Sequence, residues 1–599
     1  MMAVVGTPIA AAAALTASYL VFAALPPVPV PPENPITEGK RVLGKILFWD
    51  EQLSTSGTVS CGTCHTPAAG GSDLRLARNP GLDGVLNTPD DVQGSPGIIR
   101  SDETNAYLRD SVFALNPQIT DRAANTVINA AFAPESFWDG RARSRFLDPE
   151  TGAVAINAGG ALENQASQPL MNNVEMAHAG VDWANLVTRL TNARPLDLAT
   201  SIPPDVAAVL SPETTYNDLF AAAFGDGAIT ARRIAFAIAT YERTLIADQT
   251  PFDRFVAGQQ NALTPGQVQG LNAMGPSNCR ACHAGDLFTD QTFRNVGLRP
   301  IAEDNGRQGV TNLPGDRGKF KVPTLRNVGL KRTFMHNGQF TTLAQVIAFY
   351  ARAPGAPAQF PDNRDPIMPQ VNVPPQVAPA IQDFLQNGLT DPRVANQQFP
   401  FDKPTLYTER AANHIANLGG GNAGLGGVVP RVLAASPPMV GNRDFRIGLD
   451  GARGGATARL AISSSPPVGG RITPSKTFDA AAVLGVGAGL GFATESWNLR
   501  PENFATGQVM YVQWIVSDAA AAGGEAWSNV TRLTFFCGRS GCPEPCLGDR
   551  DGDADTDSDD LSMFFAAWDA GSDESDMDRD GDIDSDDIVV FFSSWDAGC

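Results

Sequence analysis

Four of the eight cysteines stand in two copies of one arrangement, Cys61-Gly-Thr-Cys64-His65 and Cys279-Arg-Ala-Cys282-His283. Two thiols three positions apart share a helical turn, so both can reach the vinyl groups of one porphyrin, and the adjacent histidine then lies beneath the iron. The motifs predict two covalently attached c-type haems, with Cys61, Cys64, Cys279 and Cys282 as anchors and His65 and His283 as iron ligands. A single structural zinc on the two Cys pairs is the competing chemistry, and it leaves both histidines unexplained. What the first haem can do depends on its other face. Residues 66–137 contain neither His nor Met, so that haem has no local sixth ligand and is expected to be five-coordinate or water-bound, open to chemistry rather than closed as in an electron carrier.

Helical segments must hold these motifs. Ile234, Ile238, Tyr241 and Leu245 form one apolar stripe, and Leu343, Val346, Ile347 and Tyr350 another, both at the helical period, within a helical region running from about 36 to 415. A Gly-rich stretch at 418–427 reads as a boundary. Beyond it the apolar period becomes two, as in Phe445, Ile447 and Leu449, which predicts a small β-sandwich over 428–536. The last segment repeats itself at a 27-residue offset, SDDLSMFFAAWDAG at 558–571 matching SDDIVVFFSSWDAG at 585–598. Ahead of the copies lie two aspartate combs, Asp549, Asp551, Asp553, Asp557, Asp560 and Asp576, Asp578, Asp580, Asp584, Asp587. Their spacing is that of EF-hand loops, in which carboxylate oxygens converge on calcium. Gly581 holds the sixth loop position in the second comb, whereas Ala554 holds it in the first, which weakens that site.

At 599 residues the chain exceeds a single core, and 59 Gly with 45 Pro imply many connections. Its formal charge of −20 belongs mostly to the tail, where residues 547–599 carry 18 Asp/Glu against two Arg. No basic footprint for nucleic acid exists. Residues 1–25 are apolar and end in small residues before a Pro-rich stretch, the pattern of a secretory signal or a membrane anchor; either places the remainder across a membrane. Cys537, Cys542, Cys546 and Cys599 suit disulfides; Cys546 with Cys599 would bracket the tail and leave Cys537 with Cys542, though four cysteines allow three connectivities.

In order along the chain, LGKILFWDEQLS at 43–54, the first CxxCH, FWDGR at 137–141, ENQASQPLMNNVEM at 163–176, the second CxxCH, FKVPTLRNV at 320–328 and MHNGQFTTLAQVIAFY at 335–350 resemble the bacterial dihaem cytochrome c peroxidases and their relative MauG. The resemblance implies a mostly α-helical two-domain fold, with a peroxidatic haem c domain at 36–225 and an electron-transfer haem c domain at 226–417. It places Glu175 and Gln165 in the distal pocket of the first haem. There a carboxylate can move a proton between the two peroxide oxygens, and an amide can hold peroxide by hydrogen bonding. Trp138 matches the tryptophan between the haems, an oxidisable ring that divides the electron's path in two. Tyr350 falls where the peroxidases have Met and MauG has Tyr, which makes it the candidate sixth ligand of the second haem; Met335 and Met368 are the alternatives. His336 reads as a structural or propionate contact and His178 as a surface residue, with a reach into the distal pocket three residues after Glu175 as its alternative, while His414 carries no motif. The family's interhaem calcium finds a poor match, with Ala123 in place of its asparagine and Lys331 and Thr333 at two further positions. The tail, 547–599, resembles a dockerin module, in which each calcium loop is followed by one helix.

Three functions follow: a hydrogen-peroxide reductase fed by a small cytochrome, a MauG-like enzyme oxidising a protein or other large substrate, and a dihaem electron carrier. The resemblance implies two haems with calcium in the tail, a periplasmic or extracellular location, and a cohesin-like or cell-surface partner for the tail.

Overall fold

Thr37 opens the first helix, Glu38–Trp49, by accepting the Lys40 backbone N–H on its hydroxyl at 3.3 Å. Every residue from Lys40 to Trp49 is buried, because this helix packs lengthwise on Ala231–Glu242. The contact is close enough that a Cβ at Gly44 would lie 1.9 Å from the Ala237 carbonyl oxygen. Only glycine fits between the two backbones. The described residues of this computed structural model are 25–353, 356, 359–543, 547–550, 555–578 and 582–597. The expected leader at 1–25, apart from Leu25, lies outside them, as do Cys546, Cys599, Asp551, Asp553 and Asp580.

Two apolar cores organise the helical region. The first joins Ile46, Phe48 and Trp49 to Ile234, Ile238 and Tyr241 and receives Phe401 and Leu406 from the returning chain. The Glu51 carboxylate fixes that return by accepting the backbone N–H of Tyr407 at 2.6 Å. The second core gathers Phe252, Phe288, Leu343, Ile347, Phe349 and Phe384. Helix Ala231–Glu242 therefore belongs with the first core, and the division between the units falls after it rather than at 225/226. Arg122 ties the units by donating to Asp304 at 2.7 Å and to Asp139 at 2.5 Å.

The β-region consists of two antiparallel sheets. Strands Arg431–Ala434, Phe445–Ala452 and Gly491–Trp497 form one, and a seven-stranded sheet centred on Val509–Ser517 forms the other. Leu449, Leu460, Val512, Trp514 and Leu533 fill the space between them. The first strand of the larger sheet is Ile415–Gly419, paired with Val530–Thr534. The sandwich thus starts about a dozen residues before the expected 428, and the Gly-rich stretch lies inside it rather than ahead of it. It is fixed to the first helical unit by the Arg109–Asp450 ion pair, by Arg446 donating to Thr104 O at 2.7 Å, and by the Tyr107 N–H donating to Thr494 Oγ1 at 2.9 Å. Cys537 and Cys542 form the expected disulfide.

In the tail, helices Ser558–Asp569 and Ser585–Ala597 pack through stacked Phe564 and Phe591, 4.1 Å apart at the ring centroids. Arg500 reaches from the sandwich to the Asp549 carboxylate at 3.5 Å. Among the described residues, no helix is long and apolar enough to cross a membrane.

Candidate dihaem active site

Trp49, the tryptophan of the LFWD run, positions the first CxxCH motif. The helix Cys61–Cys64 lies against its indole so closely that a Cβ at Gly62 would meet Trp49 Cε3 at 2.1 Å, which explains glycine after the first cysteine. His65 Nδ1 pairs with Gly71 O at 3.2 Å and His283 Nδ1 with Phe288 O at 2.9 Å. Each pairing orients its ring and leaves Nε2 for coordination. Burial lowers the pKa of both imidazoles, which favours the neutral form an iron requires.

Each motif faces its own cavity. The first has an empty volume of about 1230 Å³ and is lined by Cys64, His65, Trp138, Gln165 and Glu175. The second, about 1450 Å³, is lined by Cys279, Cys282, His283, Tyr350, Met335 and Met368. Two free thiols and an anchored imidazole at each motif, beside a cavity of its own, fit a covalently held haem in each unit. Zinc does not fit, since the two Cys pairs lie at separate cavities.

Trp138 lines both cavities and is 7% exposed. Its indole N–H donates to Ala123 O at 2.8 Å, and its own carbonyl accepts from the Lys321 N–H at 2.7 Å. Helix Ala161–Ser167 presents Gln165 to the first cavity, held by a buried pair in which Arg243 donates to Glu163 at 2.7 Å. Burial raises the pKa of Glu175, with Arg141 opposing and Asp121 adding to the shift.

Tyr350 shares the second cavity with both methionine alternatives, and burial raises its phenol pKa. Thr342 caps its helix, Leu343–Ala351, accepting the Gln345 N–H at 3.2 Å. His336 lies in the same cavity wall, stacked on Phe320 at 3.5 Å, and burial lowers its pKa to about 3. His178 faces a groove outside the first cavity. His414 pairs with Arg410 at 2.8 Å and Thr534 O at 3.2 Å where the helical region meets the sandwich.

Some residues in these cavities gave no signal in the sequence. Glu242 lines the first cavity with one oxygen unpaired, and burial pushes its pKa up to about 8. Lys321 lines both cavities and Lys331 the second, with burial lowering their pKa values to about 7 and about 8. In the tail, carboxylate oxygens of Asp555, Asp557 and Asp560, and of Asp576, Asp578 and Asp587, converge within 4.8 Å. Asp555 was not in the expected set. Asp549 instead pairs with Arg500, and Asp584 N–H donates to Asp587 Oδ2 at 2.8 Å.

The family model for di-haem cytochrome c peroxidases matches residues 38–261. The methylamine utilization protein MauG of Methylophilus methylotrophus is 30% identical over 326 residues, 54% of this chain and 75% of the relative. Cytochrome c551 peroxidase of Nitrosomonas europaea is 29% identical over 57% of this chain and 81% of its own length. A solved MauG-like protein associated with microbial copper homeostasis aligns over 64% of this chain and 97% of its own, with 23% identity and a TM-score of 0.45. With two CxxCH motifs at two cavities and a MauG relative matched over three quarters of its length, the chain belongs to the di-haem cytochrome c peroxidase family, as a peroxidase-type oxidoreductase with two c-type haems.

Proposed function

We propose that hydrogen peroxide is reduced in the first unit with electrons relayed from the second. The observation that carries this is the placement of Glu175 and Gln165 in the first cavity alone and of Trp138 in the wall of both. When bound, the haems supply iron for peroxide reduction in the first unit and for electron storage in the second. His65 and His283 hold them from below, and the four thiols anchor them. Glu175 accepts a proton from one peroxide oxygen and returns it to the departing one, while Gln165 orients peroxide by hydrogen bonding. Neutral Glu242 and the buried lysines keep the cavities from accumulating negative charge. As a test, holoprotein supplied with peroxide and a reduced small c-type cytochrome should oxidise two cytochromes per peroxide. Peroxide consumption with no cytochrome oxidation would give precedence to the MauG-like reading, which Tyr350 in the second cavity supports. A plain electron carrier leaves the carboxylates of the first cavity without a role.

Calcium belongs, in this reading, to a dockerin-like tail. Each comb supplies five aspartates that repel one another without a cation. Millimolar calcium added to chelated holoprotein should shift the tail's NMR resonances and protect its amides; unchanged resonances would count against the site. An interhaem calcium is disfavoured by the poor match to the family's site, with Ala123 in place of its asparagine and Lys331 at a further position. We place the chain in the periplasm or at the cell surface, in keeping with its disulfide, with the tail docking to a cohesin-like or other surface partner.

A further inference from the structure

Between the first helical unit and the sandwich runs a groove of about 1780 Å³. Its inner end backs onto the first cavity, because Gly97 lines both and its backbone is the wall they share. A Cβ at Gly97 would lie 1.9 Å from Val174 O and 2.9 Å from Glu175 Cα, so the groove floor is in backbone contact with the segment that carries Glu175. The Ile98 N–H donates to Val174 O at 3.2 Å and fixes that contact. The outer wall is built by the sandwich segment 435–446, so this groove depends on a domain outside the matched family region.

The walls carry an uneven charge pattern. Arg189 is half-buried and donates to Leu53 O at 3.0 Å, yet among the described residues it has no carboxylate partner. Arg443, exposed on the opposite wall, also forms no ion pair among them. Of the groove's two acids, Asp444 is engaged by Arg446 and accepts from Asn105 at 3.1 Å, while Glu103 is exposed at the rim. A guanidinium removed from water attracts an anion with little screening and can grip a carboxylate bidentately. Ile99 and Met439 add apolar surface to the groove.

Building on the peroxidase reading, we propose that this groove binds a small aromatic reductant bearing a carboxylate and holds it one backbone wall away from the first cavity, at Gly97, within reach of electron transfer. Each phenolic donor gives one electron and its hydroxyl proton. Two donors and one peroxide yield two phenoxyl radicals and two waters, the O–O bond being the one broken.

The probes are 4-hydroxyphenylacetate and the cationic tyramine, titrated calorimetrically into oxidised holoprotein without peroxide, so that binding is read apart from turnover. The anion should bind more tightly than the cation. Arg443→Glu and Arg189→Gln should each weaken the anion roughly tenfold, leave tyramine unchanged or tighter, and raise the KM for the anion in peroxide-driven turnover while ferrocytochrome oxidation continues at the wild-type rate. Equal affinity for the two probes in the wild type, or equal weakening of both in the variants, would overturn the groove assignment. Failure of ferrocytochrome oxidation in the wild type would instead count against the peroxidase reading, with the calorimetric result still deciding the groove.

Discussion

Replacing Glu175 by Gln is expected to slow peroxide cleavage roughly 10²–10⁴-fold, the usual cost of a lost acid–base group. Gln occupies nearly the same volume in the first cavity but cannot take a proton from peroxide. Both haems should stay attached, because neither thioether anchor nor axial histidine changes. The pH profile gives a second readout. Burial raises the Glu175 pKa above the ordinary glutamate value, and the ionised form is the base. The wild-type rate should therefore fall as pH drops through a value above 4.5, and the Gln variant should lose this acid limb. Stopped-flow measurement of peroxide consumption across pH checks both; a Gln variant with wild-type rates would remove Glu175 from the mechanism.

Exchanging Trp138 for Phe separates the units electronically while keeping a ring in the wall between the cavities. Phe cannot donate to Ala123 O and is much harder to oxidise. Peroxide should still react at the first haem, but the second haem's absorbance response should slow on the order of tenfold or more, a barrier increase of at least about 1.4 kcal/mol. Rapid-scan absorbance distinguishes the two haems. An unchanged rate at the second haem would show that electrons pass by another route.

The cysteines and histidines of the haem motifs were legible because covalent attachment demands one spacing. Glu175, Gln165 and Trp138 were legible only through the order of the motifs around them; alone, each is an ordinary polar or aromatic residue. Glu242 was not legible, since an acidic residue beside Arg243 reads as a solvated pair, whereas folding buries both. The strand Ile415–Gly419 escaped for another reason: its partner lies more than a hundred residues away, and its glycines imitate a linker. Nothing in periodicity announces that 101–116 grips the sandwich, because that contact rests on isolated features such as the Arg109 ion pair and the Tyr107 backbone N–H. The tail's combs were plain in sequence, but Asp555 sits at a loop position where a backbone carbonyl is the usual ligand.

The central claim is an open first haem that needs no prior reduction. No histidine or methionine lies in residues 66–137, and His178 faces the groove rather than the first cavity. EPR and optical spectra of the fully oxidised holoprotein, before and after one equivalent of peroxide, test this most directly. A high-spin ferric signal from one haem, lost at once on adding peroxide, is the predicted result. Two low-spin haems, with reaction only after one-electron reduction, would contradict it.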